Sequence, residues 1–284
     1  MRLAKRVTGR RAPCDAGLSG DLSTMRIPLL KVSGCVGTAV AALIATGCNG
    51  MTEDTANTTT QSATGVWSGT DSVTGLGVTA IINSGGQAVF IRSDGIQFTG
   101  AAQVSGGTLA VTVDGYPDFS STFSDGSDYG IGTLSGTVTT GASLAGSLSF
   151  TTNANSAITG NWSLSYEALS NTASSTTAIS GNYTDGVTGT TISISTTGGM
   201  SGQNGSNGCT LTGSLSTADS THNIYEVAYS YAGCTGTYAA VNGVQFTGLA
   251  TLNANVSPAL LIMTATGASG AGVPYGIVSS LNGS

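Results

Sequence analysis

The sequence predicts an all-β fold of two tandem, small, antiparallel β-barrel-like domains, on three observations. Short runs rich in Val, Ile, Thr and aromatic residues alternate apolar and polar side chains. Glycines and Asp-Gly or Asn-Gly pairs punctuate those runs, and no stretch carries a helical period. The pattern then begins again a little over a hundred residues further on.

The first half holds eight expected strands, at 65–72, 77–84, 87–93, 96–105, 108–114, 129–140, 143–152 and 158–168. Alternation is clearest in the fourth, where Ile96, Phe98, Gly100, Ala102 and Val104 face one way. Gln97, Thr99, Ala101 and Gln103 face the other, the signature of a half-buried antiparallel strand. Asp94-Gly95 between two such runs is a type I′ hairpin signal. A Ser/Thr/Ala-rich gap at 169–180 reads as a linker between a first domain at 65–168 and a second at 181–284.

The second half echoes the first. Gly65-Val66-Trp67-Ser68-Gly69 is matched by Gly181-Asn182-Tyr183-Thr184-Asp185, and 94–100 is matched by 207–213. The run 108–113 corresponds to 224–229, so the offsets are 116, 113 and 116, as in a diverged repeat with loop changes. Seven or eight sequential strands with tight turns suit an up-and-down barrel in each half. Closure also removes edges that these strands, poor in charge, would otherwise expose. A two-sheet β-sandwich gives the same local pattern and is the alternative. A long outer-membrane barrel is disfavoured, because the runs lack an outward apolar band with aromatic girdles.

Upstream of the body, Arg26 and Lys31 precede an apolar run at 32–45 that ends in small residues and Cys48. That is the order of a secretory leader. At about 1.5 Å per residue the run reaches only about 21 Å as a helix, short of a hydrocarbon core of about 30 Å. Ala45-Thr46-Gly47-Cys48 resembles the lipobox of bacterial lipoprotein signal peptides, matching at Thr46, Gly47 and Cys48 and departing at Ala45, where the family usually has leucine. The resemblance implies cleavage before Cys48 and a covalent lipid on its thiol, so that residues 25–47 are a signal peptide. It also implies an outer-membrane destination, since the residue after the cysteine is Asn49 and not aspartate. Met25 is a natural start, which leaves 1–24 as an over-extended beginning; Arg10-Arg11 is not followed closely by apolar residues, as a twin-arginine signal requires. Residues 48–64 read as the lipidated cysteine followed by a flexible tether.

Charge narrows the function classes. Arg92 is the one basic residue after Cys48, against twelve carboxylates there. Nucleic-acid binding needs several cations, and so does a polybasic membrane patch; neither is available. Disorder is disfavoured by an apolar content of 39 % in regular alternation. Cys209 and Cys234 remain as one pair in the exported part, expected as a disulfide in an oxidising compartment, with a bulge near Ala232-Gly233 to bring Cys234 round.

Catalytic side chains are scarce, and no catalytic residue is assigned. A hydrolase would have to use the single histidine, His222, or a carboxylate pair such as Glu167 and Glu226 from different halves. No His/Cys cluster has zinc spacing. Asp114, Asp118, Asp125 and Asp128 fall in one polar loop that also carries Tyr116, Phe119, Phe123 and Tyr129. It is a candidate for calcium, which takes six to eight oxygens, or for a protein partner, although the spacing is not that of an EF-hand. Tyr225, Tyr229 and Tyr231 share a strand face with Val227; they are core, or the lining of a small-ligand cavity. The expected function is therefore a non-catalytic cell-envelope lipoprotein, lipid-anchored at a membrane, that binds a small ligand or a protein. A structural or envelope-assembly component is the alternative.

Overall fold

A computed structural model describes residues 60–119, 121–186 and 188–284. The leader, Cys48 and most of the tether lie outside the described residues. The body is two closed antiparallel barrels of eight strands each, joined in sequence order. The first comprises β1 (Gly65–Asp71), β2 (Gly77–Ile82), β3 (Gln87–Arg92), β4 (Gln97–Ser105), β5 (Thr108–Tyr116), β6 (Gly130–Thr139), β7 (Ser143–Thr152) and β8 (Ala157–Tyr166). The second comprises β9 (Gly181–Thr184), β10 (Thr190–Ile194), β11 (Gly199–Asn204), β12 (Thr210–Asp219), β13 (Ile224–Ala232), β14 (Gln245–Asn253), β15 (Leu260–Ala268) and β16 (Pro274–Gly283). β1 pairs with both β2 and β8, and β9 with both β10 and β16, so the sandwich alternative does not hold. Among the described residues no helix is long and apolar enough to cross a membrane.

The period-two pattern is what fills each barrel. Along β5, Leu109, Val111 and Val113 point inward and are buried, while Thr108, Ala110, Thr112 and Asp114 are exposed. Their inward neighbours include Trp67, Phe90, Phe98, Leu134, Phe150 and Trp162, which make one contiguous core. The second core is built the same way around Tyr183, Leu211, Tyr225, Tyr229, Phe246 and Leu261.

Turn chemistry differs from expectation at Asp94-Gly95. Gly95 has φ +86° but Asp94 does not have positive φ, and Gly95 N donates to Arg92 O while Arg92 N donates to Ile96 O. This is a type I turn closed by a left-handed glycine bulge, the three-residue hairpin, and not type I′. A turn with both central residues at positive φ occurs instead at Gly106-Gly107 (φ +56° and +84°), between β4 and β5.

The end of the tether also shifts. Ala63 is 4 % exposed in the first core, and Gln61 and Ser62 hydrogen-bond Thr140, so the folded body begins before Gly65. The linker at 169–180, between β8 and β9, is itself folded. It forms a 3-10 turn (Ala168–Asn171) and one helical turn, α1 (Thr176–Ile179), with Ser170 and Ile179 fully buried. Ser170 Oγ accepts from Val66 N, and Ser170 O accepts from Asn223 N, so the stretch is tied to both barrels.

A third apolar cluster lies outside both barrels and between them. Val66, Ile81, Val89 and Ile91 of the first barrel meet Ile224 and Leu249 of the second. Gln97, facing outward as expected, is nevertheless wholly buried here, its Oε1 accepting from Thr264 Oγ1.

Candidate functional site: the notch of the second barrel

The second barrel closes thinly. β9 has four residues and meets β16 through two residue pairs, Tyr183 with Gly283 and Thr184 with Asn282. Above that seam the outer edge of β16 would stand open. The loop between β5 and β6 of the first barrel reaches over and fills it. Asp118 pairs with Gly276 in a parallel bridge, and its Oδ1 accepts from Val278 N at 3.2 Å. Phe119 then packs on Tyr238 and Tyr275, with ring centroids 4.8 and 5.5 Å apart.

What remains in the notch is a cavity of about 80 Å³. Asp118, Asp185, Thr190, Asn207, Tyr231 and Tyr238 are among the side chains that border it. Burial pushes the Asp118 carboxyl above the usual carboxylate range, and the nearby Asp185 charge adds to the rise. Burial likewise raises the Tyr231 phenol to about 12. A groove of about 290 Å³ adjoins the cavity through Asp118 and Phe119 and extends to Asp128 and Tyr275.

The rim is held rigidly. Cys209 and Cys234 form the expected disulfide, closing a loop of 25 residues. No bulge lies at Ala232-Gly233: β13 ends at Ala232, and Gly233 turns the chain with φ +70°. The register shift falls instead between Thr217 and Asp219 of β12. Asn242 clamps Cys234 from both sides, its Oδ1 accepting from Cys234 N and its Nδ2 donating to Cys234 O.

The four loop aspartates are not brought together. Asp114 accepts from the Tyr129 hydroxyl, Asp128 from Asn153 Nδ2, and Asp118 lies in the notch. Asp125 accepts from Ser127 N, Ser127 Oγ and Thr152 Oγ1, which hold its carboxyl far below the usual range. Among the described residues no group of three His, Cys, Asp or Glu side chains is placed to hold a metal ion. The loop's two phenylalanines divide between the barrels: Phe123 enters the first core against Phe150, and Phe119 covers the second.

Of the tyrosine row, Tyr225 and Tyr229 fill the core and only Tyr231 borders the cavity. The Tyr225 hydroxyl is bonded to Ser175 N and O, and Tyr229 stacks on Phe246. His222 lies in the β12–β13 loop, at the end of the barrel away from Cys209, where Nδ1 contacts Asp219 at 2.8 Å and Thr221 Oγ1 at 2.9 Å. Glu167 accepts from Ser68 Oγ beside β1, and Glu226 borders a separate inter-barrel groove, so neither meets His222 or the notch. Asp118 and Phe119 are the notch residues whose part the sequence hides, because a loop has no periodicity to show which barrel a side chain serves. Comparison of the chain with protein-family models gives no match, and comparison with the curated proteins gives none.

Proposed function

We propose that the chain is a non-catalytic bacterial envelope lipoprotein, acylated at Cys48, whose tandem-barrel body binds a small ligand or protein partner at the notch. The observation that carries the binding reading is the cavity of about 80 Å³, where carboxylate, amide and phenol groups converge inside an aromatic rim. Lipidation is supported by the leader and the Ala45-Thr46-Gly47-Cys48 stretch. The Cys209–Cys234 disulfide suits an oxidising compartment. One acyl chain binds a membrane only marginally, so the anchor has to carry more than one.

Two measurements on the chain produced in a bacterial host test this reading. Labelling with an alkyne fatty acid is expected to mark the wild type and not Cys48→Ser, and only the wild type should sediment with outer membrane. Native mass spectrometry of the detergent-extracted chain is expected to show a reproducible bound mass that Phe119→Ala reduces. An unlabelled wild type would remove the lipoprotein reading. A chain that carries no bound mass and captures no protein would leave the structural-component alternative.

A further inference from the structure

The first barrel holds a second, smaller cavity, apart from the notch. It has a volume of about 30 Å³ and lies between Phe90, Phe98 and Leu148, with Asp71 and Arg92 at its rim and Trp162 against it. A single water needs roughly 10–15 Å³, so the space takes one or two waters or the head of a small molecule.

Two observations single this cavity out. Trp162 is 6 % exposed, and its indole N–H is one of two buried side-chain donors among the described residues that have no acceptor. Buried donors are rarely left so. Arg92, the one basic residue after Cys48, is the second. Asp94 accepts from its Nε and Nη2 at 2.9 and 2.6 Å, and among the described residues no hydrogen bond uses Nη1. The only other tryptophan, Trp67, is fully satisfied, its indole donating to Ala63 O at 2.9 Å.

Local charge decides the ligand class. Asp71 and Asp94 outnumber Arg92, so an added carboxylate would meet net negative charge. A neutral oxygen acceptor meets no such repulsion. Asp71 already accepts from Val73 N, Thr74 Oγ1 and Asn161 N, which leaves one of the roughly four acceptor positions of a carboxylate open. Two donors and one acceptor around an apolar pocket complement a primary carboxamide, which offers an oxygen to the donors and an N–H to the acceptor. We infer that the first barrel binds the head of a small uncharged primary carboxamide in this cavity, held by Trp162, Arg92 and Asp71 against Phe90, Phe98 and Leu148.

The two indole N–H resonances of the ¹⁵N-labelled full chain report on this directly. Titration with propionamide is expected to move the Trp162 resonance saturably and leave the Trp67 resonance in place. Propionate, similar in shape but anionic, is expected to bind at least about tenfold more weakly. Arg92→Gln is expected to weaken the amide about tenfold, with the Trp67 resonance reporting that the barrel is folded. No saturable Trp162 shift, or equal affinity for amide and carboxylate, overturns the inference, and neither comparison needs the variant. An Arg92→Gln chain that is folded and binds as the wild type does also overturns it.

Discussion

Trp67 and Tyr183 occupy the same place in the two barrels. Each donates a side-chain hydrogen bond to the carbonyl four residues upstream: Trp67 Nε1 to Ala63 O at 2.9 Å, and Tyr183 Oη to Ile179 O at 2.8 Å. The accepting residues are themselves buried, Ala63 in the first core and Ile179 in the second. The aromatic at the head of β1 and of β9 thus pulls the incoming chain under the barrel floor and seals it. Trp67→Phe and Tyr183→Phe each strand a buried carbonyl and should cost about 1–3 kcal/mol. Urea unfolding should find each loss in the transition of its own barrel, since the sites sit in separate cores.

Most of the strand plan is legible in the sequence, because burial on one face imposes a strict period of two, as along β5. The contact between barrels is legible only in part. Ile81 beside Ile82, and Ala88 through Ile91, are continuous apolar runs, which signal burial on both faces. Gln97 carries no such signal: it obeys the polar-out rule, and the second barrel then covers it. Phe119 and Phe123 lie four positions apart in one loop and serve different barrels, a division that only the tertiary arrangement determines.

Ile81 and Leu249 meet in the cluster between the barrels and touch neither interior. Ile81→Ala should therefore cost about 2–5 kcal/mol of association between barrels while leaving each core packed. Small-angle scattering should show an enlarged radius of gyration, with the tryptophan emission of the first barrel unchanged. Loss of that emission would show that the cluster also supports the first core.

The disulfide closes 25 residues across the rim of the second barrel, and both tryptophans lie in the first core. Cys209→Ala with Cys234→Ala should lower stability by about 3 kcal/mol in the chain-entropy description. The loss should appear in the near-ultraviolet signal of the tyrosine-rich second barrel at lower denaturant than in the tryptophan fluorescence of the first. Coincident transitions would mean that the inter-barrel cluster makes the body unfold as one unit.

Asp118 gives the notch a pH dependence whose sign follows from its surroundings. Burial and the Asp185 charge raise its carboxyl above the ordinary 3.8, so the folded state binds a proton more tightly than the unfolded chain. Stability from this group is full below about 3.8 and is lost as the pH climbs through the raised folded value. Asp219 acts in the opposite sense: bonds from Thr221 and His222 outweigh desolvation and lower it to about 2, so its contribution is full above the ordinary value and fades only in strong acid. Asp118→Asn keeps an oxygen for Val278 N and removes the buried charge. Thermal melts should find it level with the wild type at pH 3.5 and more stable at pH 7, whereas Asp219→Asn should be less stable at pH 7. An Asp118→Asn chain that melts lower at pH 7 would mean the charge itself is held by a counterion in the notch, and the direction argued from burial would be wrong.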